Sequence, residues 1–464
     1  MPWFPPPPEQ GAPPHRLGAM LFTNFLKTHQ QLQNDKLLLL PKRQLVTYAL
    51  YALIAVALLY LFVDPAPASS AKPSSVAAPW VLEEELPPPS PPPLYQADER
   101  SRSASPPQAS AAPPCDYSDG EWVPDPRPPP YNGTACEAIK DGRSCMANGR
   151  ADTAYIHWRW QPRLCDLPDF LPEAFLRWLG NRHMAFVGDS LARNQAESLM
   201  CLLSAWSPPE LVHRDPEGRF RRWVFHEYNA TVSIFWSPFL VKGVEKSEHA
   251  GVRYNELFLD AFDERWMSQL GGIDAAVLSA GQWFRIPSIY HEGGGVVGCY
   301  GCAAELNHTE TSFFAVFRDV IGRTLTEITR RHEHGRGGNE QLVALATFSP
   351  SHFEGEWNKG APCTKKRPYK KGEKELGYTE TEMRKIVVEA AANAGAASSS
   401  TLRFAALDVT TLANMRPDGH PGPYMRKNPF AAGEGRPVQN DCLHWCMPGP
   451  VDTFNQILLQ TILR

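Results

Sequence analysis

The chain has 464 residues, 43% of them hydrophobic, which is enough to bury a sizeable core, yet its 45 prolines mark part of it as non-globular. A formal net charge of −4 gives no electrostatic reason to expect nucleic acid as a partner, and that class is set aside. One large domain behind an unfolded leader is the organisation these numbers favour.

Residues 1–44 are proline-rich at the start and carry Lys27, Lys36, Lys42 and Arg43. Residues 45–63, LVTYALYALIAVALLYLFV, have no charge. A run of about nineteen such residues crosses a hydrocarbon core about 30 Å thick, whereas a signal-peptide core is shorter, about 7 to 15 residues. With Lys42 and Arg43 before the run and only Asp64 close behind it, the positive-inside rule puts 1–44 in the cytoplasm as a tail and everything after 63 on the luminal or extracellular side. Residues 64–114 turn to Pro, Ala and Ser, with PPPSPPP at 87–93, and predict a solvated, extended stem that cannot bury enough apolar surface to order itself.

All 10 cysteines lie beyond the apolar run. An even number there fits disulfides in an oxidising compartment, and the sequons at Asn132, Asn229 and Asn307 fit glycosylation on the same side. The pairs Cys299/Cys302 and Cys442/Cys446 lack companions at zinc-finger spacing, so no metal is expected.

Residues 115–167 are rich in Cys, Pro, Gly and aromatics with little periodicity, and predict a small, disulfide-pinned subdomain. Within it His157, Trp158, Arg159 and Trp160 suit either a platform for sugar rings or the seam with the next domain. Residues 168–464 alternate strand-like and helix-like stretches. Strands are predicted at 184–187, 223–228, 231–236, 274–278, 342–347 and 402–407, and helices after Ser190 and over 314–331, 379–394 and 451–463. Residues 237–266 read as a polar and aromatic connection. The alternation predicts an α/β fold, a three-layer sandwich on a mainly parallel sheet, with its ligand site beyond the strand carboxyl ends.

The stretch HMAFVGDSLARNQAESLMC, 183–201, reads as strand, tight turn and helix. Gly188 permits backbone angles other residues avoid, and Ser190 stands where the first helical N–H groups point at any oxygen it attacks. A serine there is placed as a nucleophile, although for an isolated Gly-Asp-Ser the commoner reading is that Asp189 or Ser190 simply caps the helix. A serine hydroxyl also needs a base and a group to orient that base. Asp441 and His444, three positions apart in DCLHWCMPG, can supply both on one helical turn. Asp418 and His420, in MRPDGHPGPY, are a rival pair, and spacing alone does not choose between them.

Four segments together, GDSLARNQAESLMCLLS from Gly188, YIHWRWQPRLCDLPDF from Tyr155, MRPDGHPGPY and DCLHWCMPGPVDTFNQILL from Asp441, resemble the plant trichome birefringence-like proteins, Golgi polysaccharide O-acetyltransferases. The resemblance covers roughly Cys115 to Arg464. It implies a Cys-rich N-terminal subdomain followed by an esterase-like domain related to the GDSL/SGNH hydrolase fold, in a single-pass type II protein of the Golgi membrane with its catalytic domain luminal. It makes Ser190 the acyl-accepting nucleophile, His444 the base and Asp441 its orienting acid, and so prefers His444 to His420. Gly188, Asp189, Arg193, Asn194 and Gly281 are then assigned to the oxyanion or the substrate, while Gln282 departs from the histidine common at its position in the family. The same resemblance implies bridges Cys115–Cys165 and Cys136–Cys201. It also implies that no cofactor is bound, that the acetyl donor is acetyl-CoA or an upstream acetyl carrier, and that partners are a cell-wall polysaccharide, the Golgi membrane and an acetyl-donor transporter. GCYGC at 298–302 is closest to members acting on xyloglucan or mannan, with xylan as a further acceptor. A polysaccharide acetylesterase using the same triad, and a Golgi glycan-binding protein without turnover, are the alternatives.

Overall fold

The computed structural model describes residues 115–247, 251–335, 340–356, 359–430 and 438–464. The expected tail, apolar span and stem, 1–114, lie outside the described residues. Among the described residues no helix is long and apolar enough to cross a membrane. This corrects the single-pass Golgi-membrane placement.

The first strands, β1 (Gly120–Pro124) and β2 (Trp158–Pro162), form an antiparallel ribbon with Trp122 opposite Trp160. The rest of 115–167 is irregular and held by covalent links. Cys115 bonds Cys165, Cys136 bonds Cys201, and Cys145 bonds Cys446. Trp160 is buried edge-on against Trp122, whose indole N–H donates to the Leu412 carbonyl. Trp160 therefore belongs to the seam. Trp158, half-buried, lines a cavity of about 410 Å³ together with Tyr155, Phe170 and Pro448.

Next in the chain come β3 (His183–Gly188), β4 (Glu210–Arg214), β5 (Phe220–Phe225), β6 (Ala230–Trp236), β7 (Val241–Val244), β8 (Asn255–Phe262), β9 (Ala275–Ser279), β10 (Ser288–Glu292), β11 (Gly295–Tyr300), β12 (Gln341–Ala346) and β13 (Leu402–Leu407). Among the described residues the five longest helices are α1 (Pro172–Leu179), α2 (Ser190–Ser204), α3 (Phe313–Gly335), α4 (Tyr378–Ala397) and α5 (Pro450–Ile462). The central sheet has the order β13-β12-β9-β3-β6-β5-β4. Its first five strands are parallel and β5 and β4 are antiparallel additions at one edge.

Alternation along each inner strand builds the three layers, because successive side chains leave a strand on opposite faces. On β3, Met184 and Phe186 join the cluster of Leu176 on α1, Leu199 on α2 and Leu458 on α5. Ala185 and Val187 join the other, with Val320 on α3 and Ile386 on α4. Strands buried on both faces read as continuous apolar runs, which is why MAFV, AAVL and LVALA were visible as strands.

The stretch 237–266 departs from the expected connection. It carries β7 and β8, which pair with each other and, through β8 and β10, join β10 and β11 in a second, four-stranded sheet of order β11-β10-β8-β7. β4 also escapes a reading by periodicity, since every one of its residues is exposed. Four disulfides are present, the fourth joining Cys363 to Cys442, while Cys299 and Cys302 are free thiols, so the cysteines are not all paired. Asn132, Asn229 and Asn307 are exposed.

Candidate active site

The turn after β3 is built around Gly188. Its φ is +152°, and a Cβ there would stand 1.8 Å from the Ser279 carbonyl oxygen at the end of β9, so only glycine lets the two strand ends meet. The next N–H, of Asp189, donates to that same carbonyl at 3.1 Å. Asp189 caps α2, its carboxylate accepting the Leu191 N–H at 2.9 Å. The cap reading of Asp189 therefore holds, and it leaves Ser190 as the first helical residue, half-buried beyond the carboxyl end of β3. Burial pushes the Asp189 carboxyl up to about 6, against the opposing pull of the Leu191, Gln282 and Ala192 N–H groups and of the His444 charge. His444 thus lies within electrostatic reach of the residue preceding Ser190.

Asp441 and His444 meet as their spacing suggests. His444 Nδ1 and Asp441 Oδ2 are 2.7 Å apart, and Asp441 Oδ1 accepts the N–H groups of Leu443 and His444 at 3.1 and 3.0 Å. Burial opposes the Asp441 charge, but the His444 charge and these hydrogen bonds outweigh it and hold the carboxyl below the ordinary carboxylate range. Acceptance by Asp441 fixes the proton of His444 on Nδ1, which leaves Nε2 as the basic atom. That Nε2 is buried and has no hydrogen-bond partner among the described residues. The turn is clamped on both sides of the imidazole, by Cys442 to Cys363 and by Cys446 to Cys145.

The rival pair is arranged differently. Asp418 is in a buried ion pair with Arg416 at 2.9 Å, not with His420. Both ring nitrogens of His420 are engaged, Nδ1 with the His444 carbonyl at 2.7 Å and Nε2 with His352 Nδ1 at 2.7 Å, and its ring stacks on Trp445. His420 supports the turn that carries His444 and has no nitrogen left to serve as base.

The residues assigned to the oxyanion separate on inspection. Asn194 is 0% exposed, its Oδ1 accepting the Trp445 N–H at 2.7 Å and its Nδ2 donating to the Trp445 carbonyl at 3.2 Å. It ties the helix that Ser190 opens to the turn that carries His444. Arg193 is buried with its guanidinium 5.0 Å over the Trp236 ring, and its Nε lacks a partner among the described residues. Burial lowers that guanidinium to about 10. Trp236, opposite Gly188 in the sheet, meets Trp283 edge-on at 5.9 Å. Gly281, with φ of +158°, opens the loop that carries Trp283, and Gln282 Nε2 donates to the Ser349 carbonyl at 2.8 Å.

Two supports were missed in the sequence. Arg143, from the irregular subdomain, donates to the Ser190 carbonyl at 3.0 Å and pairs with Glu197 at 2.8 Å. Glu197 is itself 0% exposed and also 3.4 Å from Arg221. The one available signal was a carboxylate standing two residues ahead of the apolar run 199–203 in α2, since a buried charge needs a partner. Among the described residues no group of three or more metal-ligating side chains is found.

A family model described as the GDSL/SGNH-like acyl-esterase family found in Pmr5 and Cas1p matches residues 167–461, and one for the PMR5 N-terminal domain matches residues 113–166. Xyloglucan O-acetyltransferase 2 of Populus trichocarpa is 53% identical over 353 residues, 75% of this chain and 82% of the relative. Xyloglucan O-acetyltransferase 1 of Arabidopsis thaliana is 46% identical over 75% of this chain and 80% of its own. Protein trichome birefringence-like 26 of Arabidopsis thaliana is 39% identical over 78% and 80%.

Proposed function

On the premise that this chain belongs to the GDSL/SGNH-like acyl-esterase family found in Pmr5 and Cas1p, we propose that it is an O-acetyltransferase acting on hydroxyls of a plant cell-wall polysaccharide, with xyloglucan as the favoured acceptor. The observation that carries the reading is the Asp441–His444 pair, with one imidazole nitrogen held by the carboxylate and the other unpartnered, on a turn bonded through Trp445 to the helix that Ser190 opens.

The proposed reaction has two halves. His444 Nε2 takes the Ser190 Oγ proton as Oγ attacks the acetyl carbonyl of the donor. The oxyanion collapses, the bond to the donor breaks, and His444 returns the proton to the departing group, leaving acetyl-Ser190. A sugar hydroxyl then gives its proton to His444 and attacks the acetyl carbon, and Oγ leaves with that proton. The positive end of α2 favours the oxyanion in both halves. Arg193, close to Ser190 in the chain and buried beside Trp236, is the side chain best suited to add to it. Sugar must outcompete water at the second half, so the site has to hold the acceptor hydroxyl against the acetyl carbon and keep solvent out.

The experiment offers the full chain acetyl-CoA, or a small activated acetyl ester, together with deacetylated xyloglucan, mannan, xylan or pectin. Acetylated xyloglucan should accumulate with the wild type and not with Ser190→Ala. Free acetate in large excess over polymer-bound acetyl would make the protein an esterase, and activity retained in Ser190→Ala would end the acyl-serine reading.

A further inference from the structure

Behind the proposed base runs a line of hydrogen bonds with an acceptor at each end. His352 Nε2 is 2.9 Å from the Asn414 carbonyl, His352 Nδ1 is 2.7 Å from His420 Nε2, and His420 Nδ1 is 2.7 Å from the His444 carbonyl. A carbonyl only accepts, so both outer nitrogens carry hydrogen. Two neutral imidazoles have one N–H each, and both are then committed to the ends. The inner contact would bring two lone pairs together at hydrogen-bond distance. A third proton removes that conflict.

We propose that His352 and His420 hold one proton between them, and that this shared proton positions His444 by keeping His420 Nδ1–H on the His444 carbonyl. The inference rests on the reading of His444 as the base.

The surroundings admit one such charge and resist two. Around the pair stand Asp418 with its partner Arg416, Asp441 and His444 from the acid-base turn, Lys374, Glu380 on α4, Arg150 donating to the His420 carbonyl, and the ring of Tyr369. Asp418 and Arg416 offset one another, and the remaining acids and bases are mixed in sign. Burial, and for His420 the charge of His352, push the imidazoles below the ordinary histidine range. That cost weighs against any imidazolium and most against a second beside the first, whereas the 2.7 Å contact between the rings is a hydrogen bond only if one extra proton is present. His420 is 3% exposed and stacked on Trp445 at 4.2 Å, so its ring cannot turn to relieve a mismatch. When the shared proton leaves, the inner contact opens or the His444 carbonyl is released.

The test uses the full chain with 15N-labelled histidine. A long-range proton–nitrogen spectrum should show one strongly deshielded proton correlated with nitrogens of both rings. It should disappear on raising the pH in step with a fall in kcat for transfer to deacetylated xyloglucan, KM holding steady. His352→Gln should remove the signal, lower kcat about tenfold to a hundredfold with KM unchanged, and flatten that alkaline limb. Nitrogen shifts of two neutral rings at the pH of greatest activity would overturn the proposal, as would an alkaline limb in His352→Gln superimposable on the wild type. If His352→Gln fails to fold, the wild-type spectrum alone decides. The spectrum makes no reference to turnover and Ser190→Ala none to the pair, so either idea can fail without the other.

Discussion

Asn194 and Trp445 clasp one another through two hydrogen bonds, the asparagine amide matching both backbone groups of the tryptophan at 2.7 and 3.2 Å. The two residues are 251 positions apart in the chain. One lies a turn beyond Ser190 and the other follows His444, so the clasp ties together the two distant segments of the proposed site.

Replacing Asn194 with Ala should therefore harm both stability and turnover. It leaves a buried N–H and carbonyl on Trp445 without partners, each costing roughly 1 to 3 kcal/mol. A displacement of the histidine turn by about 1 Å costs on the order of a hundredfold in rate. Thermal unfolding and kcat measured on the same preparation check this. A variant with wild-type kcat would show that the turn is held by other means.

Asp441→Asn should preserve the fold and remove the acceptor that fixes the His444 proton on Nδ1. An orienting carboxylate in a triad is worth roughly ten-thousandfold in kcat. A loss below about tenfold would mean that Asp441 does not orient the base. The depressed carboxyl also gives a sign for stability. Its contribution is present above the ordinary carboxylate range and is lost as the pH falls through its lower folded value.

The Cys363–Cys442 bridge enters the turn that carries the proposed base one residue from Asp441 and two from His444. Changing both cysteines to Ser should cost about 2 to 4 kcal/mol, and transfer activity should fall at temperatures where the variant is still folded. Circular dichroism paired with rate measurements separates the two effects. Unchanged activity in the folded variant would confine the bridge to stability.

Asp189 tests the opposite linkage. Its folded carboxyl sits at about 6, above the ordinary 3.8, so its contribution to stability is full below about 4 and is lost as the pH rises through 6. Asp189→Asn keeps an oxygen to cap α2 and carries no charge to bury. The variant should match the wild type near pH 4 and exceed it by roughly 2 to 3 kcal/mol near pH 8. A gap independent of pH, measured by calorimetry at both ends, would show that Asp189 does not titrate in this range.

The inner strands, the long helices and the Asp441–His444 pair were all legible before any coordinates, because each is a local matter. A strand buried on both faces must be apolar throughout, as in 184–187, and a carboxylate three residues from a histidine reaches it within one turn. The second sheet was not legible, since β8 hides its alternation of Leu257 and Leu259 among charged and aromatic neighbours, and β4 buries nothing. Nor could spacing choose between His420 and His444. Tertiary contacts distinguish them, occupying both nitrogens of one ring and leaving Nε2 of the other without a partner among the described residues. The clasp of Asn194, the Arg143–Glu197 support and the Cys145–Cys446 bridge also join residues far apart in the chain. Periodicity and motif report what a segment prefers by itself, whereas a hydrogen bond across hundreds of residues exists only once the chain has folded to bring its two halves together.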